Sequence, residues 1–326
     1  MKERLKSLVL GVSPILDVLA APLVFVGALF FKLIRRFGVA RLNLCRNILW
    51  KVGIMPASNH YYDPFFKKTD LKYPLREDRC LPGIELNIQG QLELLKCFEF
   101  RDELLGIPRG PDPAGGFYYN NPAFLSGDAE FLYNMVRHFK PRRLIEVGGG
   151  FSTLMTLKAL EANRREDGSH SGEIICIEPF ENRWLEDLDI SLHREIVQNM
   201  DTGFFRSLEK NDILFIDSSH ITKPQNDVLY LYLQVLPVLN PGVLVHIHDV
   251  FTPRDYLEGW ILKDVRFWNE QYLLEAFLSL NNDFEIMAAL NFLLRHHSDE
   301  LLSVCPVLAE QLPNREPGSF WIRKIS

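Results

Sequence analysis

The feature that most constrains this chain is the alternation of apolar, strand-like segments with amphipathic, helix-like segments from about residue 115 onward. The strand-like segments are almost continuously apolar, which indicates a sheet covered on both faces. Such alternation favours a mostly parallel sheet in an α/β fold. We predict strands at 142–150, 173–180, 195–199, 212–220, 242–250, 284–290 and 319–325, and helices at 127–140, 152–165, 226–240 and 269–282.

Polar residues stand where these strands end, and ligands of such sheets bind beyond the carboxyl ends of the strands. Glycines after the first strand let a ligand approach the main chain, and the next helix offers free amide groups at its start. A carboxylate ending the second strand can accept hydrogen bonds from both hydroxyls of a ribose. These positions are Glu146, Gly148, Gly149 and Gly150 after the first strand, Glu178 after the second and Asp217 after the fourth.

The glycine turn differs from the dinucleotide fingerprint GxGxxG. Thr153 stands where that fingerprint has its third glycine, which permits close packing of the helix. The acidic Glu146 also suits a cofactor with a positive amino group better than a pyrophosphate. The turn therefore favours an adenosine-bearing cofactor other than a dinucleotide.

The ordered motifs EVGGGFST, CIEPF, DILFIDSSH and LNPGVLVHIHD resemble those of class I S-adenosylmethionine-dependent methyltransferases, particularly the small-molecule O-methyltransferase branch. The resemblance covers residues 115–326 and implies a seven-stranded, Rossmann-like sheet with helices on both faces. It implies that Glu146 and the glycines line the methionine part of S-adenosylmethionine, that Glu178 holds the ribose and that Asn199 lies near the adenine. The implied cofactor-binding residues are Glu146, Gly148, Gly149, Gly150, Glu178, Asn199 and Asp217.

The segments DSSH and HIHD carry candidate catalytic residues. In metal-dependent sugar and polyketide O-methyltransferases, acidic residues at these strand ends bind a divalent cation, and a histidine in a DGSH segment acts as base. The resemblance implies that His220 is the general base, helped by Asp217 and Asp249, and that a metal would be held by Asp217, His248 and Asp249. Here Ser218 replaces the glycine, and His248 stands where these enzymes often have an acid. Because Mg²⁺ prefers oxygen ligands, His248 points to Mn²⁺, Fe²⁺ or Zn²⁺, or to no metal.

Each of these residues has an alternative structural role. Asp217 and Asp249 could cap the helices or turns that follow them. His246 is expected to be a hydrogen-bonded core histidine. Arg254 and Tyr256 follow HIHD and are expected in a loop that faces the methyl acceptor.

The first 51 residues differ from the rest in charge and hydropathy. They contain nine Lys or Arg against two acidic residues, a net charge of +7, so the total of −6 leaves −13 for the remainder. An apolar run at 18–31 precedes a segment that mixes basic and apolar residues, as in helices on anionic membrane surfaces. We predict a membrane-associated helical arm with the body on the cytoplasmic side, since Lys and Arg concentrate after the run. An arm buried against a partner subunit is the alternative.

We therefore expect an arm at 1–51, an irregular and helical connecting extension at 52–114 and a methyltransferase domain at 115–326. The expected reaction transfers a methyl group to a hydroxyl of a small-molecule, sugar or lipid-linked acceptor. The acidic body argues against nucleic acid as partner, and five scattered cysteines fit a reducing compartment. A noncatalytic cofactor-binding scaffold at the membrane and an NAD-dependent oxidoreductase remain alternatives.

Overall fold

The computed structural model describes residues 2–111, 115–180 and 182–326, with side chains from Val12 onward. The chain divides into two compact units, Met1–Pro74 and Leu75–Ser326. The predicted boundaries at 51 and 114 stay predictions, while the structure places its own division within the connecting extension.

The first unit is built from two helices, α1 (Lys2–Phe37) and α2 (Asn43–Val52). Within α1, Val12–Phe37 contains an apolar window with a mean hydropathy of 2.2, of which 0% is buried. By length and composition this segment suffices to cross a membrane. Near its end, Arg35 pairs with Asp63, whose carboxylate also accepts from the Ser58 hydroxyl at 2.7 Å.

The second unit contains one seven-stranded sheet in the order β3-β2-β1-β4-β5-β7-β6. Strands β1 to β5 pair in parallel, and β7 is antiparallel to both β5 and β6. The predicted Rossmann-like sheet with seven strands is thereby confirmed. The strands are β1 Arg143–Val147, β2 Glu173–Ile177, β3 Ser191–His193, β4 Ile213–Ile216, β5 Leu244–Ile247, β6 Phe284–Ala289 and β7 Phe320–Lys324.

Helices cover both faces of this sheet, as predicted. The segment 227–238 continues from an α-helix through a π-helix, Leu231–Val235, into a 3-10 turn, Leu236–Val238. The α-helices are α3 Ile88–Lys96, α4 Arg101–Leu105, α5 Asp128–Phe139, α6 Phe151–Glu166, α7 Thr202–Phe205, α8 Asp227–Tyr230, α9 Glu258–Leu262, α10 Glu270–Leu278, α11 Leu290–His296, α12 Ser298–Val304 and α13 Pro306–Gln311.

The strands divide the core into two layers, because successive side chains of a strand point to opposite faces. Leu144 packs in the layer with α5, α6 and α11 to α13, whereas its neighbour Ile145 packs in the layer with α8 and α10. Both are fully buried. This two-sided burial explains why the strands read as continuous apolar runs.

The predicted third strand at 195–199 was wrong in position. The strand is Ser191–His193, which pairs with β2 at the sheet edge, and Val197–Asn199 forms a 3-10 turn. The β-branched pair Ile196 and Val197 favours a strand by composition. However, the main-chain N–H of Asn199 bonds to the Ile196 carbonyl at 3.0 Å, which closes the turn.

Part of the connecting extension packs on the sheet of the second unit. The Gln91 side chain accepts a hydrogen bond from the Ala289 N–H at 2.8 Å, and Asn87 donates to the Ile286 carbonyl at 3.0 Å. Both contacts fix α3 against β6, and Gln91 is fully buried. Residues from 75 to 111 thus belong with the body.

Candidate active site

The residue that follows β4 comes so close to the turn after β1 that the turn has no room for larger side chains. Gly148 has a φ of +88°, and a Cβ there would lie 2.0 Å from the carbonyl oxygen of Asp217. A Cβ on Gly149 would lie 2.3 Å from the Cys176 sulfur. Gly150 has open space by comparison, with its nearest neighbour 3.5 Å away. The first two glycines therefore keep the turn at the point where the strand order reverses.

A cavity of about 220 Å³ lies over this turn. It brings together three of the predicted cofactor positions: the glycines of the turn, Glu178 and Asp217. Glu178 accepts a hydrogen bond from the Phe180 N–H at 2.9 Å, and Asn182 donates to the Gly149 carbonyl at 2.8 Å. Sequence reasoning missed Asn182, which fixes the turn from the β2 side.

Glu146 lies below the turn, fully buried. Its two carboxylate oxygens accept hydrogen bonds from the Ser152 and Thr153 hydroxyls at 2.5 and 2.6 Å. Burial raises the pKa of Glu146 to about 7, against the opposing effect of these hydroxyls. Glu146 thus ties β1 to the start of α6, and its contact with the cofactor stays a prediction. Thr153, which breaks the dinucleotide fingerprint, supplies one of these bonds.

Asn199 lies outside the residues that line this cavity. It is exposed at the 3-10 turn, and its side chain donates to Glu195 at 2.7 Å. Its predicted place near the adenine therefore stays a prediction.

The predicted catalytic residues come together at the ends of β4 and β5. The Nε2 atom of His220 lies 3.1 Å from the Asp217 carboxylate and 3.8 Å from the Asp249 carboxylate. Its Nδ1 atom lies 2.9 Å from the carboxylate of Glu270, which begins α10. His220 is 7% exposed and Glu270 only 1%. No sequence signal pointed to Glu270, because it is 50 residues away along the chain.

The charges of this cluster are strongly coupled. Burial alone lowers the pKa of His220, but the hydrogen bonds to Asp217 and Glu270 outweigh it and raise the pKa well above 6.5. Burial raises the pKa of Asp217, yet the nearby His248 and His220 hold it below its usual range. Imidazolium at His220 is therefore the favoured state in the ligand-free site.

A second cavity, of about 620 Å³, adjoins this cluster. Asp217 and Ala123 line both this cavity and the smaller one. The titratable side chains at the strand-end side of the larger cavity are Asp128, Asp217, His248 and Asp249, and its further lining comes from residues within 122–126, 257–266 and 313–316. The shared wall makes the larger cavity suited to a methyl acceptor next to a bound cofactor.

Two of these residues had a purely structural alternative role: capping for Asp217 and a core position for His246. The Asp217 side chain pairs with His220, while the Ser219 N–H bonds to Asp227 at 2.8 Å. Asp217 is therefore part of the cluster in addition to ending a strand. His246 is fully buried, with Nε2 2.9 Å from the Ser319 hydroxyl, as expected of a core histidine.

The expectation that Arg254 and Tyr256 face the acceptor was wrong. Tyr256 is 2% exposed, and its hydroxyl accepts from the Gln271 N–H at 2.9 Å. Arg254 is 6% exposed and paired with Glu316. Both side chains are buried in the protein, and Trp260 lines the larger cavity instead.

The predicted metal ligands do not fit a metal ion as they are arranged. His220 lies against both carboxylates, and His248 Nε2 is 3.6 Å from the Asp249 carboxylate. Among the described residues, no three His, Cys, Asp or Glu side chains converge as a metal site requires. The imidazole groups thus supply the positive charge that these carboxylates need.

Comparison with known proteins identifies the domain that holds this site. A family model described as a methyltransferase domain matches residues 145–250. An uncharacterized protein of Archaeoglobus fulgidus is 28% identical over 176 residues, which cover 50% of this chain and 78% of that protein.

Two solved structures are distantly similar. The O-methyltransferase TomG from Streptomyces achromogenes, in complex with SAM, is 14% identical over 63% of this chain and 83% of its own, with a TM-score of 0.37. The O-methyltransferase from Bacillus cereus, in complex with SAH, is 14% identical over 79% of this chain and 94% of its own, with a TM-score of 0.37. Residues 145–250 thus match a methyltransferase domain, and the seven-stranded sheet is the one that the resemblance of the motifs to class I S-adenosylmethionine-dependent methyltransferases implies.

Proposed function

We propose that this protein transfers the methyl group of S-adenosylmethionine to a hydroxyl oxygen of a small-molecule acceptor, with His220 as the base. The observation that carries this proposal is the contact of His220 with a carboxylate of the wall that the two cavities share. His220 Nε2 is 3.1 Å from Asp217, and Asp217 lines both cavities.

A hydroxyl is a poor nucleophile at neutral pH, so its proton must be removed as the new bond forms. A hydroxyl that donates to Asp217 or Asp249 would lie next to His220, whose Nε2 is 3.1 Å from the first carboxylate and 3.8 Å from the second. His220 accepts the proton once it has lost its own, and its carboxylate neighbours stabilise the resulting imidazolium. The remaining contribution is alignment of the oxygen, the methyl carbon and the sulfur.

The methyl acceptor also includes molecules at a membrane surface in this proposal. An apolar helix with 0% of its window buried supports attachment to a membrane, with the second unit on the cytoplasmic side. A membrane-held enzyme meets sugar or lipid-linked acceptors at the membrane surface. We include such acceptors with small molecules on that ground.

The His220→Ala variant tests the base. We expect turnover with S-adenosylmethionine to fall by about 10² to 10⁴, with nearly unchanged affinity for the cofactor. Turnover would be measured as transfer of labelled methyl groups, and affinity by calorimetry. If the His220→Ala variant turned over as fast as the wild type at every pH, His220 would not be the general base.

Asp249→Asn and a chelator test the contribution of a metal. We expect Asp249→Asn to lower turnover, because an amide stabilises the imidazolium of His220 less well than a carboxylate does. The wild-type enzyme would be assayed in chelator and after addition of Mg²⁺, Mn²⁺ or Zn²⁺. Full activity in chelator agrees with the imidazole-compensated cluster, whereas restoration only by metal would contradict it.

A further inference from the structure

The lining of the larger cavity includes two arginines, Arg266 and Arg315. The guanidinium of Arg266 lies 4.4 Å from the ring centroid of Trp260 and 4.5 Å from that of Trp268. The two indole rings meet edge to face with centroids 5.2 Å apart. Arg266 thus lies over both indole rings, which form a corner beside the guanidinium, and these two contacts fix its position.

The charge of Arg266 is only weakly matched by the protein. Its nearest carboxylate is that of Asp264, at 3.7 Å, which is beyond hydrogen-bond distance. The Arg266 side chain is 35% exposed, so its N–H groups are accessible from the cavity that it lines. Among the residues that the structure describes, none accepts a hydrogen bond from the Arg266 guanidinium, so its N–H groups can bind an anion at two points.

Arg315 lies in the other segment that lines the cavity. Its Nε donates to Gln311 at 2.9 Å and its Nη1 to the Asn314 carbonyl at 3.2 Å. These neutral acceptors orient the guanidinium without neutralising it. The acidic residue of this segment, Glu316, is instead paired with Arg254. Arg315 therefore contributes a second positive charge to the cavity.

The strand-end side of the same cavity has the opposite charge. Asp128, Asp217 and Asp249 supply carboxylates there. Carboxylates accept hydrogen bonds from hydroxyls but repel anions, so an anionic ligand would have to turn its hydroxyls towards them. A volume of about 620 Å³ accommodates a ligand that reaches both kinds of wall.

From this arrangement we infer that the methyl acceptor is an anionic alcohol. Its phosphate or carboxylate binds Arg266 and Arg315, and the hydroxyl that receives the methyl group faces Asp217 and Asp249. Phosphate and carboxylate share the recognition chemistry, since each offers paired oxygens to a guanidinium. This inference deepens the proposed function and rests on it for the identity of the reaction.

Anion binding can be measured without any methyl transfer. Full-length protein would be titrated with sodium phosphate and with sodium acetate at constant ionic strength, with tryptophan fluorescence as the signal because Trp260 and Trp268 contact Arg266. We expect saturable binding that weakens about tenfold or more in Arg266→Gln and Arg315→Gln.

The matched control is Arg165→Gln, an arginine on α6 with 75% exposure whose carboxylate partner is Glu161. It should bind both anions like the wild type. Absence of saturable binding in the wild type, or equal weakening in all three variants, would overturn the anion site.

The charge of the product gives a second test. Wild-type enzyme would be incubated with S-adenosylmethionine labelled in its methyl group and with a small-molecule and lipid extract of the source cells. We expect labelled product to bind an anion-exchange resin. Release by phosphatase would identify a phosphate monoester, and resistance would leave a phosphodiester or a carboxylate, which phosphodiesterase treatment distinguishes.

The two tests separate the inference from the proposed function. Labelled product that is neutral, with normal transfer by Arg266→Gln, would overturn the anionic acceptor and leave methyl transfer intact. If no product of any kind acquired label, the proposed function would fail, and the anion titration would still decide whether Arg266 and Arg315 form an anion site.

Discussion

His220 is fixed through its ring and through its main chain. Its ring contacts Glu270 and Asp217, and its carbonyl accepts hydrogen bonds from the N–H groups of Asn269 and Glu270 at 3.0 and 3.2 Å. The start of α10 therefore holds the side chain and the backbone of the proposed base together. Glu270 orients His220 and favours its protonated form.

Replacing Glu270 with Gln should shift the pH dependence of turnover. The hydrogen bond and charge of Glu270 raise the pKa of His220, so their weakening lowers it. A base loses its proton earlier when its pKa falls, so the acidic limb of the rate profile should move to lower pH. Turnover above this limb should decrease, because the base is weaker.

The control for this change is Glu161→Gln, whose carboxylate is exposed on α6. Its pH–rate profile should match that of the wild type. An acidic limb that stays in place in Glu270→Gln would contradict the role of Glu270, even if turnover fell.

Glu146 gives a prediction about stability. Its pKa is raised by burial to about 7, so its protonated form contributes stability that is complete below pH 4.5 and is lost as the pH rises through 7. In Glu146→Gln this loss is absent. The free energy of unfolding of the variant relative to wild type should therefore rise by about 2–3 kcal/mol between pH 4.5 and 7.5.

Denaturant unfolding at several pH values, without cofactor, measures this difference. Altered hydrogen bonds to Ser152 and Thr153 lower the stability of the variant by the same amount at every pH. The informative quantity is therefore how the difference in unfolding free energy changes with pH. A difference that does not vary with pH would show that folding does not raise the pKa of Glu146.

The position of a residue at a strand end could be predicted from the sequence. Asp217, His248 and Asp249 follow β4 and β5 as expected, because a parallel sheet gathers its strand ends at one edge, and their roles stay predictions. Glu270 was missed because its place depends on how the loop after β5 leads into α10, which no local pattern encodes. Asn199 shows the same limit, since an edge strand of three residues, Ser191–His193, left its position poorly specified.

At the scale of secondary-structure elements, the β1–α6 turn links the sheet to the cofactor cavity. Gly148 and Gly149 have no room for a Cβ, and Gly150 does. The turn is thus constrained by its neighbours, Asp217 and Cys176, as well as by a ligand. A side chain should therefore disturb the turn at Gly148 and be accepted at Gly150.

The pair Gly148→Ala and Gly150→Ala tests this expectation. In Gly148→Ala, the positive φ and the contact with the Asp217 carbonyl should cost about 1–3 kcal/mol of stability or displace β4, and cofactor affinity should fall. Gly150→Ala should retain stability to within about 1 kcal/mol. Thermal unfolding and calorimetric titration provide the two readouts, and equal effects of both variants would contradict the geometry.

Elements with a clear period were predicted best. The long helices α5 and α6 and the central strands were located from their apolar patterns, since packing and propensity agree there. The three helices within 290–311 were not predicted. Each is short, between 6 and 7 residues, and they are held by tertiary contacts such as those of Val307 and Leu308 with Glu130.

At the scale of the whole molecule, the two units carry different physical properties. The first presents an apolar helix, and the second contains the acidic catalytic body. A 26-residue segment with an apolar window of mean hydropathy 2.2 is poorly compatible with water unless a membrane or another protein covers it.

Removing residues 1–74 should therefore release the protein from membranes. We expect the full-length chain in the membrane fraction, resistant to high salt, and the shortened chain in the soluble fraction with cofactor binding retained. Fractionation followed by calorimetry measures both properties. A full-length chain found in the soluble fraction without detergent would contradict membrane attachment.

Binding of S-adenosylmethionine is the measurement that tests the central claim most directly. In calorimetric titration of the full-length protein we expect S-adenosylmethionine or its demethylated product to bind and NADH not to bind. Glu178→Ala should weaken this binding by about 1–3 kcal/mol, roughly 5- to 150-fold, because a polar partner of the cofactor is lost. Binding of NADH with no binding of S-adenosylmethionine would contradict the account and favour an oxidoreductase.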